Sequence, residues 1–502
     1  MIGGHIACDI TRSLKYSFFS KCAGGLVLVG NGIDTNVNGI ALLNLTKRVY
    51  LGNGKARDGG ALAAIGPKTV VHIGADSEIR DNVAKSFGGG LLVMGGAAVH
   101  TVDTRIEKNK AIFDGGGAFM ADIFSSLTTL RTVFAANQAF RYGGGIGMNC
   151  LNCPLEKSNL FAPTDSKMVS NEARNGGGIF AWTGGLIQGR NTHVQLNIAK
   201  GKGGGLFSDE SSVDLENMTF SNNTAYQEGG GTYLKSTRNA RIVQSTFKNN
   251  ALLGDSSLHG ALFGAGMYLM DLSNNPSCSV VMEENSFVGN VARDSQSLFI
   301  CHGGGMYLSE IDTTTIQQFS MARLTFDSNV AWGSGGGLAV NNVVGVLFVG
   351  LHLLNNRAST YGGGMSINGQ SQVDVFGEGK FGEGNNNKRT WIDGNSAGVS
   401  EQRTPGWRAQ WFTDYEGDEE VLGPTLKYRS KHDAVEDGTV QVINFASTNL
   451  PGILNLQAFP TKFTANFAAH FDATLHVDMD GQYQFKVLVG LILYPFFHRL
   501  DY

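Results

Sequence analysis

The stretch "FSNNTAYQEGGGTYL", residues 220–234, sets a phenylalanine, an asparagine, an alanine and three consecutive glycines close together. A lone glycine triplet reads as a flexible linker or a phosphate-cradling loop. Recurrence decides otherwise. Triplets begin at Gly88, Gly115, Gly143, Gly176, Gly203, Gly229, Gly303, Gly335 and Gly362, and Gly264-Ala265-Gly266 fills the long gap. Ahead of most triplets, by five or six residues, stands Asn-x-Ala, at Asn82, Asn109, Asn137, Asn171, Asn197, Asn223, Asn329 and Asn356. At Asn250 and Asn290 the offset is longer, which marks insertions. Three residues before each asparagine comes a large apolar residue: Ile79, Ile106, Phe134, Met168, Val194, Phe220, Phe247, Phe287, Phe326 and Leu353. The repeating unit is therefore Φ-x-x-N-x-A-x-x-x-G-G-G-Φ, and self-similarity at such a period governs the fold.

Three repeat architectures compete at this length. Leucine-rich repeats need several leucines ahead of their asparagine, whereas "NMTFSNNTA" and "RLTFDSNVA" carry one apolar anchor among polar neighbours. Helical pairs fail because each glycine costs about 1 kcal/mol in a helix. A parallel β-helix coil accommodates every position. Segments such as "GGLFSDESSVDLENMTFSNN" alternate apolar and polar residues around small turns, the period of a strand with one buried face. The Φ residue would point inward and stack on its counterpart in the next coil. Asparagine has two amide donors and an acceptor with which to bond its copies above and below. The ladder expected is Asn82, Asn109, Asn137, Asn171, Asn197, Asn223, Asn250, Asn290, Asn329 and Asn356. Glycine supplies tight corners and close approach between coils. A linker would have no reason to keep register with an asparagine. No G-x-x-x-x-G-K-S/T occurs, and Gly201-Lys202-Gly203 lacks the hydroxyl residue a nucleotide's magnesium needs. The calcium-binding G-G-x-G-x-D is absent too, so the rod needs no cofactor.

Composition sets further bounds. Glycine makes up 69 of the 502 residues, only 16% are charged, and the formal charge is −4 with no basic stripe, which argues against nucleic acid as a partner. Six cysteines, at 8, 22, 150, 153, 278 and 301, are too few for a disulfide scaffold of this size. Cys150-Leu-Asn-Cys153 fits a loop disulfide, two free thiols or half of a metal site, and Cys278 and Cys301 could staple the insertion around Asn290. No basic segment followed by an apolar core opens the chain. "FFSKCAGGLVL" and "NGKARDGGALAAI" resemble degenerate repeats, so residues 1–50 read as an array already under way. Asn-x-Ser/Thr sequons stand at Asn44, Asn217 and Asn222. Near the C-terminus "VLVGLILYPFF" spans 11 residues, against the roughly 20 that a membrane helix needs, and contains Pro495, so a strand pair is expected.

F-x-x-N, literal at Phe134, Phe220, Phe247, Phe287 and Phe326, together with the glycine runs, resembles the repeats of the chlamydial polymorphic outer membrane proteins. The resemblance covers about residues 51–398. It implies a right-handed parallel β-helix of the pectin-lyase-like kind, used for adhesion or surface display. Several copies replace the aromatic by Ile, Met, Val or Leu, and no autotransporter barrel follows. After a linker at 399–405, "GWRAQWFTDYEG" and the later Asp480-Gly481-Gln482-Tyr483-Gln484-Phe485 resemble a PA14 module, a β-sandwich that binds glycans in several families. The aspartate pair of its sugar site has no match before the chain runs into "LVGLILYPFFHRLDY", so residues 406–502 read as a small, incomplete sandwich.

Many β-helices are polysaccharide lyases, hydrolases or epimerases, whose sites gather acidic residues and a base on one outward strand face. Asp209, Glu210 and Asp214 are the candidates, with Glu216 on the same coil, Asp103 and Arg105 on another, and Glu310 and Asp312 on a third. They do not repeat in register: Asp209 lies four residues beyond Gly205 and Glu310 five beyond Gly305. His193 and His302 are lone histidines, the usual mark of surface or turn positions. The function expected is therefore a secreted or cell-surface spacer that engages glycans or other proteins. Its loops at 150–165, 251–262 and 291–301 would make the contacts.

Overall fold

The computed structural model describes residues 26–29, 41–150, 158–254, 262–272, 278–293, 301–376 and 391–397, and five short strands beyond residue 406. The chain winds into twelve coils of four short strands each, and like strands of successive coils pair in parallel. One coil runs Leu206–Asp209, Ser212–Glu216, Thr219–Ser221 and Thr224–Ala225. These four strands belong in turn to sheets A, B, C and D, every one of which has twelve strands. The fold is an all-β parallel solenoid. At about 4.8 Å per coil its axis is about 58 Å long. The strands Leu26–Val29 and Ala41–Lys47 already pair with the second coil.

Side chains alternate inward and outward, and the inward ones meet their equivalents at the coil spacing. The Φ residues form a column that includes Phe220, Phe247, Phe287 and Phe326, all fully buried. Their rings stack face to face with centroids 5.1, 4.7 and 4.7 Å apart. Each buried ring is worth roughly 1.5–3 kcal/mol of transfer free energy.

Beside that column runs the amide ladder. Asn109 Nδ2 donates to the Ile79 carbonyl of the preceding coil at 2.9 Å and to Asn137 Oδ1 of the following coil at 3.0 Å. Its own Oδ1 accepts from the amide nitrogen and Nδ2 of Asn82 at 3.1 and 2.9 Å. Two donors and two acceptor sites are thus satisfied in a dry interior. The pattern repeats through Asn171, Asn197, Asn223, Asn250, Asn290, Asn329 and Asn356. It continues to Asn395, which accepts from Asn356 at 2.9 Å. Asn395 follows Ile392 at the usual offset, but no glycine triplet comes after it, so the motif does not reveal it.

A second interior ladder occupies the corner between sheets B and C. There the Thr132 and Ser166 amides donate to Ser166 Oγ and Thr192 Oγ1 at 3.1 and 3.2 Å, and Ser245 donates to Asn285 Oδ1 at 2.9 Å. Met218, Leu324 and Leu351 take that position in other coils and fill it with apolar volume instead. The pattern is too mixed in residue type to announce itself in the sequence.

The glycine triplet is the corner from sheet D to sheet A. Its first glycine is left-handed in every coil, as at Gly115 with φ +71°, where a Cβ would lie 2.4 Å from the Ala118 carbonyl oxygen. Its third glycine leaves room for the amide ladder: a Cβ on Gly117 would come within 3.1 Å of the Asn137 amide. The Gly145 carbonyl oxygen, 2.6 Å from the same Cβ, is nearer still, so close approach of the next coil and of its asparagine together favour glycine here. The middle position admits Ala265, and the third admits Ala61.

Cys278 and Cys301 do not staple the insertion around Asn290, since both are buried thiols. Burial pushes the Cys278 thiol up to about 11, and its sulfur donates to the Thr237 carbonyl. Cys150 is disulfide-bonded; Cys153, Cys8 and Cys22 lie outside the described residues. Beyond the rod, Trp407–Phe412 pairs antiparallel with Glu436–Val440 and with Ala468–Asp472, and Val487–Val489 pairs with Ile492–Tyr494. The hairpin at 480–485 that carries the PA14 resemblance is outside the described residues. No helix among the described residues is long and apolar enough to cross a membrane.

Two stability changes follow. Asn223→Ala strands the Asn197 donors and the Val194 carbonyl in the interior, so chemical denaturation is expected to show a loss of about 3 kcal/mol; a loss under 0.5 kcal/mol would place the amide in water. Gly115→Ala forces a left-handed alanine against the Ala118 carbonyl and should cost about 2 kcal/mol in the same assay.

Candidate functional site

Sheet A is the face on which chain departures concentrate. The strands Ile146–Asn149 and Asn159–Thr164 are separated by a longer connection, as are Met267–Met270 and Ser279–Glu283, and both connections leave sheet A for sheet B. On its other edge, the chain between Ala251–Leu252 and Met267 makes an additional strand, Leu262–Phe263, that pairs with Cys301–His302. Of the loops expected to make contacts, residues 151–157, 255–261 and 294–300 lie outside the described residues. The outer surface of sheet A runs between these two edges.

Each four-residue strand of sheet A points its second and fourth residues outward. The second residues form an aromatic column: Phe180, Phe207, Tyr233, Tyr268 and Tyr307. Phe180 stacks on Phe207 at 4.8 Å and Phe207 on Tyr233 at 4.9 Å, and the tyrosines then turn edge to face. Residues just ahead of the glycine corners cover this column. Tyr142 stacks on Phe180, Lys202 lies 5.0 Å above the Tyr233 ring while pairing with Glu228 at 2.7 Å, and Phe263 packs on Tyr307. Burial pushes the Tyr307 phenol up to about 12, with the Glu310 and Glu228 charges adding to it, and raises Tyr233 and Tyr268 further. These phenols stay neutral. The column is a second core outside the cylinder.

The fourth residues form the outer row. In register along it come Asn149, Trp182, Asp209, Lys235, Met270 and Ser309, of which Ser309 is buried and the others reach the surface at least in part. Trp182 is 38% exposed. Burial raises the Asp209 carboxyl above its ordinary value, against the pull of Lys235 and with the help of Glu210 and Asp271. An indole face beside a carboxyl and an ammonium, at successive coil spacings, can stack on a sugar ring and hydrogen-bond its hydroxyls.

The other candidate acids are spread around the coil. Glu210 sits exposed on the corner between sheets A and B. Asp214 lies on sheet B between two arginines, with Arg190 Nη2 at 2.6 Å and Arg241 Nη1 at 3.0 Å, and Glu216 meets the same two at 3.4 and 3.3 Å. Burial pushes Asp214 up, but the two arginine hydrogen bonds outweigh it and hold the carboxyl below its ordinary value. Asp103 is bound by Arg131 of the next coil at 2.6 and 2.8 Å, and Arg105 pairs with Glu107 at 3.0 Å. Glu310 accepts from Asn342, and Asp312 caps the turn Thr313–Thr315. His193 is exposed on sheet C; His302 accepts from the Ser334 amide and faces Phe263. The structure brings Asp209 and Glu210 together and leaves Asp214 in a separate ion-pair lattice. Among the described residues no group of three His, Cys, Asp or Glu is placed to hold a metal ion. The motif search missed Trp182 and Lys235. The signal was there: both stand at the fourth position after a triplet, in line with Asp209.

Residues 160–320 match a family described as the right handed beta helix region, which gives the winding its hand over those coils. The chain matches no curated protein and no solved structure.

The two aspartates should respond oppositely to substitution. Asp209 binds its proton more tightly folded than unfolded, so its ionised form weakens the fold at neutral pH and that penalty fades as pH falls towards 3.8. Asp209→Asn is therefore expected to unfold at higher denaturant than the parent at pH 7, with the gain lost in acid. Asp214 is the reverse: its contribution is present above 3.8 and disappears as pH falls through its lower folded value. Asp214→Asn should cost about 1 kcal/mol at pH 7. Equal shifts of the same sign in pH-resolved unfolding curves would contradict both environments.

Proposed function

We propose that this chain is a non-catalytic extracellular or cell-surface β-helix scaffold, a rigid spacer whose sheet A face and neighbouring loops adhere to glycans or surface proteins. One observation carries the reading. Outward charges are used to join coil to coil, as in Arg131–Asp103, Arg190–Asp214–Arg241 and Arg323 with Glu283 and Glu284. Carboxylates held by arginine are poor proton donors at neutral pH. The resemblance of residues 51–398 to polymorphic outer membrane protein repeats supports a display role, and the PA14-like texture of 406–502 supports glycan contact.

A second reading, an enzyme acting on polysaccharides, has one observation in its favour: the raised Asp209 carboxyl beside the half-exposed Trp182. Incubating the protein with uronate-containing and neutral polysaccharides separates the two. The scaffold reading expects retention on a glycan array without release of unsaturated or reducing ends. Trp182→Ala should weaken that retention about tenfold, the 1.4 kcal/mol of one stacked ring. Product that forms with the parent protein and vanishes in Asp209→Asn would establish the enzyme instead.

A further inference from the structure

We infer that Asn222 is a site of N-linked glycosylation whose first sugar covers an apolar patch on the neighbouring coil. The inference rests on the secreted reading above. Asn222 and Asn223 are adjacent in sequence and opposite in fate. Asn223 is fully buried with its amide spent in the ladder. Asn222 is exposed on the left-handed corner between sheets C and D, φ +53°, and its side-chain amide makes no hydrogen bond among the described residues. The sequon Asn222-Asn223-Thr224 is offset by one residue from the repeat. In every buried copy of the motif, the position two after the ladder asparagine is Ala or Leu, so no ladder asparagine starts a sequon. By contrast, Asn217 donates its amide to Asn191 at 2.9 Å, in an outer ladder that Asn191 extends to Asp165.

The neighbouring coil gives an independent reason for a sugar at Asn222. Its counterpart there is Leu196, whose amide donates to the Ser221 carbonyl at 3.1 Å. Leu196 is 50% exposed at φ +57°, a conformation that bulky residues avoid. Ile198, in register with Thr224, is 40% exposed. An apolar pair on a strained corner directly beneath an unengaged sequon amide matches the footprint of a pyranose, whose C–H face packs on aliphatic side chains while its hydroxyls face water. In the transfer step, Asn222 Nδ2 forms a bond to the anomeric carbon of a lipid-pyrophosphate-linked oligosaccharide. The bond from that carbon to pyrophosphate oxygen breaks, the lipid pyrophosphate departs with the electron pair, and the amide nitrogen surrenders one proton. The corner between sheets C and D is separated from sheet A by sheet D and the glycine corner, so the sugar would leave the candidate binding face open.

The test is to secrete the full chain from a eukaryotic host behind that host's signal sequence and to map asparagines by peptide mass after glycoamidase treatment. Asn222 should be occupied and all eleven ladder asparagines unmodified. Thr224→Ala should abolish the modification at Asn222 and Thr224→Ser restore it, each with an unchanged β-sheet circular dichroism spectrum. Enzymatic removal of the sugar should raise binding of an apolar dye severalfold, and Leu196→Ser should cancel that rise. An unmodified Asn222 in the folded, secreted chain overturns the proposal, as does occupancy with dye binding unchanged on deglycosylation. Because the signal belongs to the host, these outcomes are independent of where the protein resides in its own cell; finding it retained inside that cell would refute the secreted reading alone.

Discussion

The side-chain amide of asparagine, buried inside the coil at the corner between sheets C and D, is the constraint on which this molecule depends. A polar group in a dry interior must be bonded completely or it destabilises the fold. Asparagine meets that demand here through four bonds, two given and two received, three of them with the ladder asparagines of adjacent coils and the fourth to the backbone carbonyl of the preceding coil's Φ residue. Aspartate would bring unneeded charge, serine would lack the second donor, and glutamine would reach past its neighbour. Bonds of this kind close only if every coil has the same pitch and register. One residue type thereby fixes the geometry of the rod, and the glycine corner is shaped to leave it space.

Outside the cylinder the same logic of repetition serves different ends on different faces. Sheet A carries rings that stack at the coil spacing and a polar row beyond them. Sheet B carries opposite charges that alternate between coils and bridge them. His72 and His100 stack at 4.9 Å on that face, and burial with the His72 charge keeps His100 below its ordinary value. The left-handed corners carry residues such as Asn217, Asn222 and Asn249, which adopt positive φ at low cost. Stability is concentrated in columns along the axis, and most long departures from the coil leave from the edges of sheet A, with one more between Val373–Phe376 of sheet B and Trp391–Asp393 of sheet C.

The coil was legible because Φ, Asn and Gly each answer to one physical demand and recur at one offset. Asn395 escaped because the triplet that signals its neighbours is absent after it. The hydroxyl ladder at Ser166, Thr192 and Ser245 escaped because Met218 or Leu324 can do the same volume-filling task without a hydrogen bond. The row Trp182, Asp209, Lys235 was hidden for a different reason: its members share a place but no chemistry, and only the pairing register unites them. Reading carboxylates along the chain grouped Asp209 with Asp214, although the turn between them sends one to sheet A and the other into an arginine pair on sheet B. Periodicity identifies what repeats, whereas a site on a solenoid is assembled from what does not.

Side-chain amide hydrogen exchange in protein labelled selectively with nitrogen-15 at asparagine tests the stacked ladder most directly. Eleven amide pairs, from Asn82 to Asn395, are expected to exchange far more slowly than those of exposed asparagines such as Asn217 and Asn222. Exchange of the ladder amides at the solvent-exposed rate would show that they face water, and the coils could not then be stacked as described.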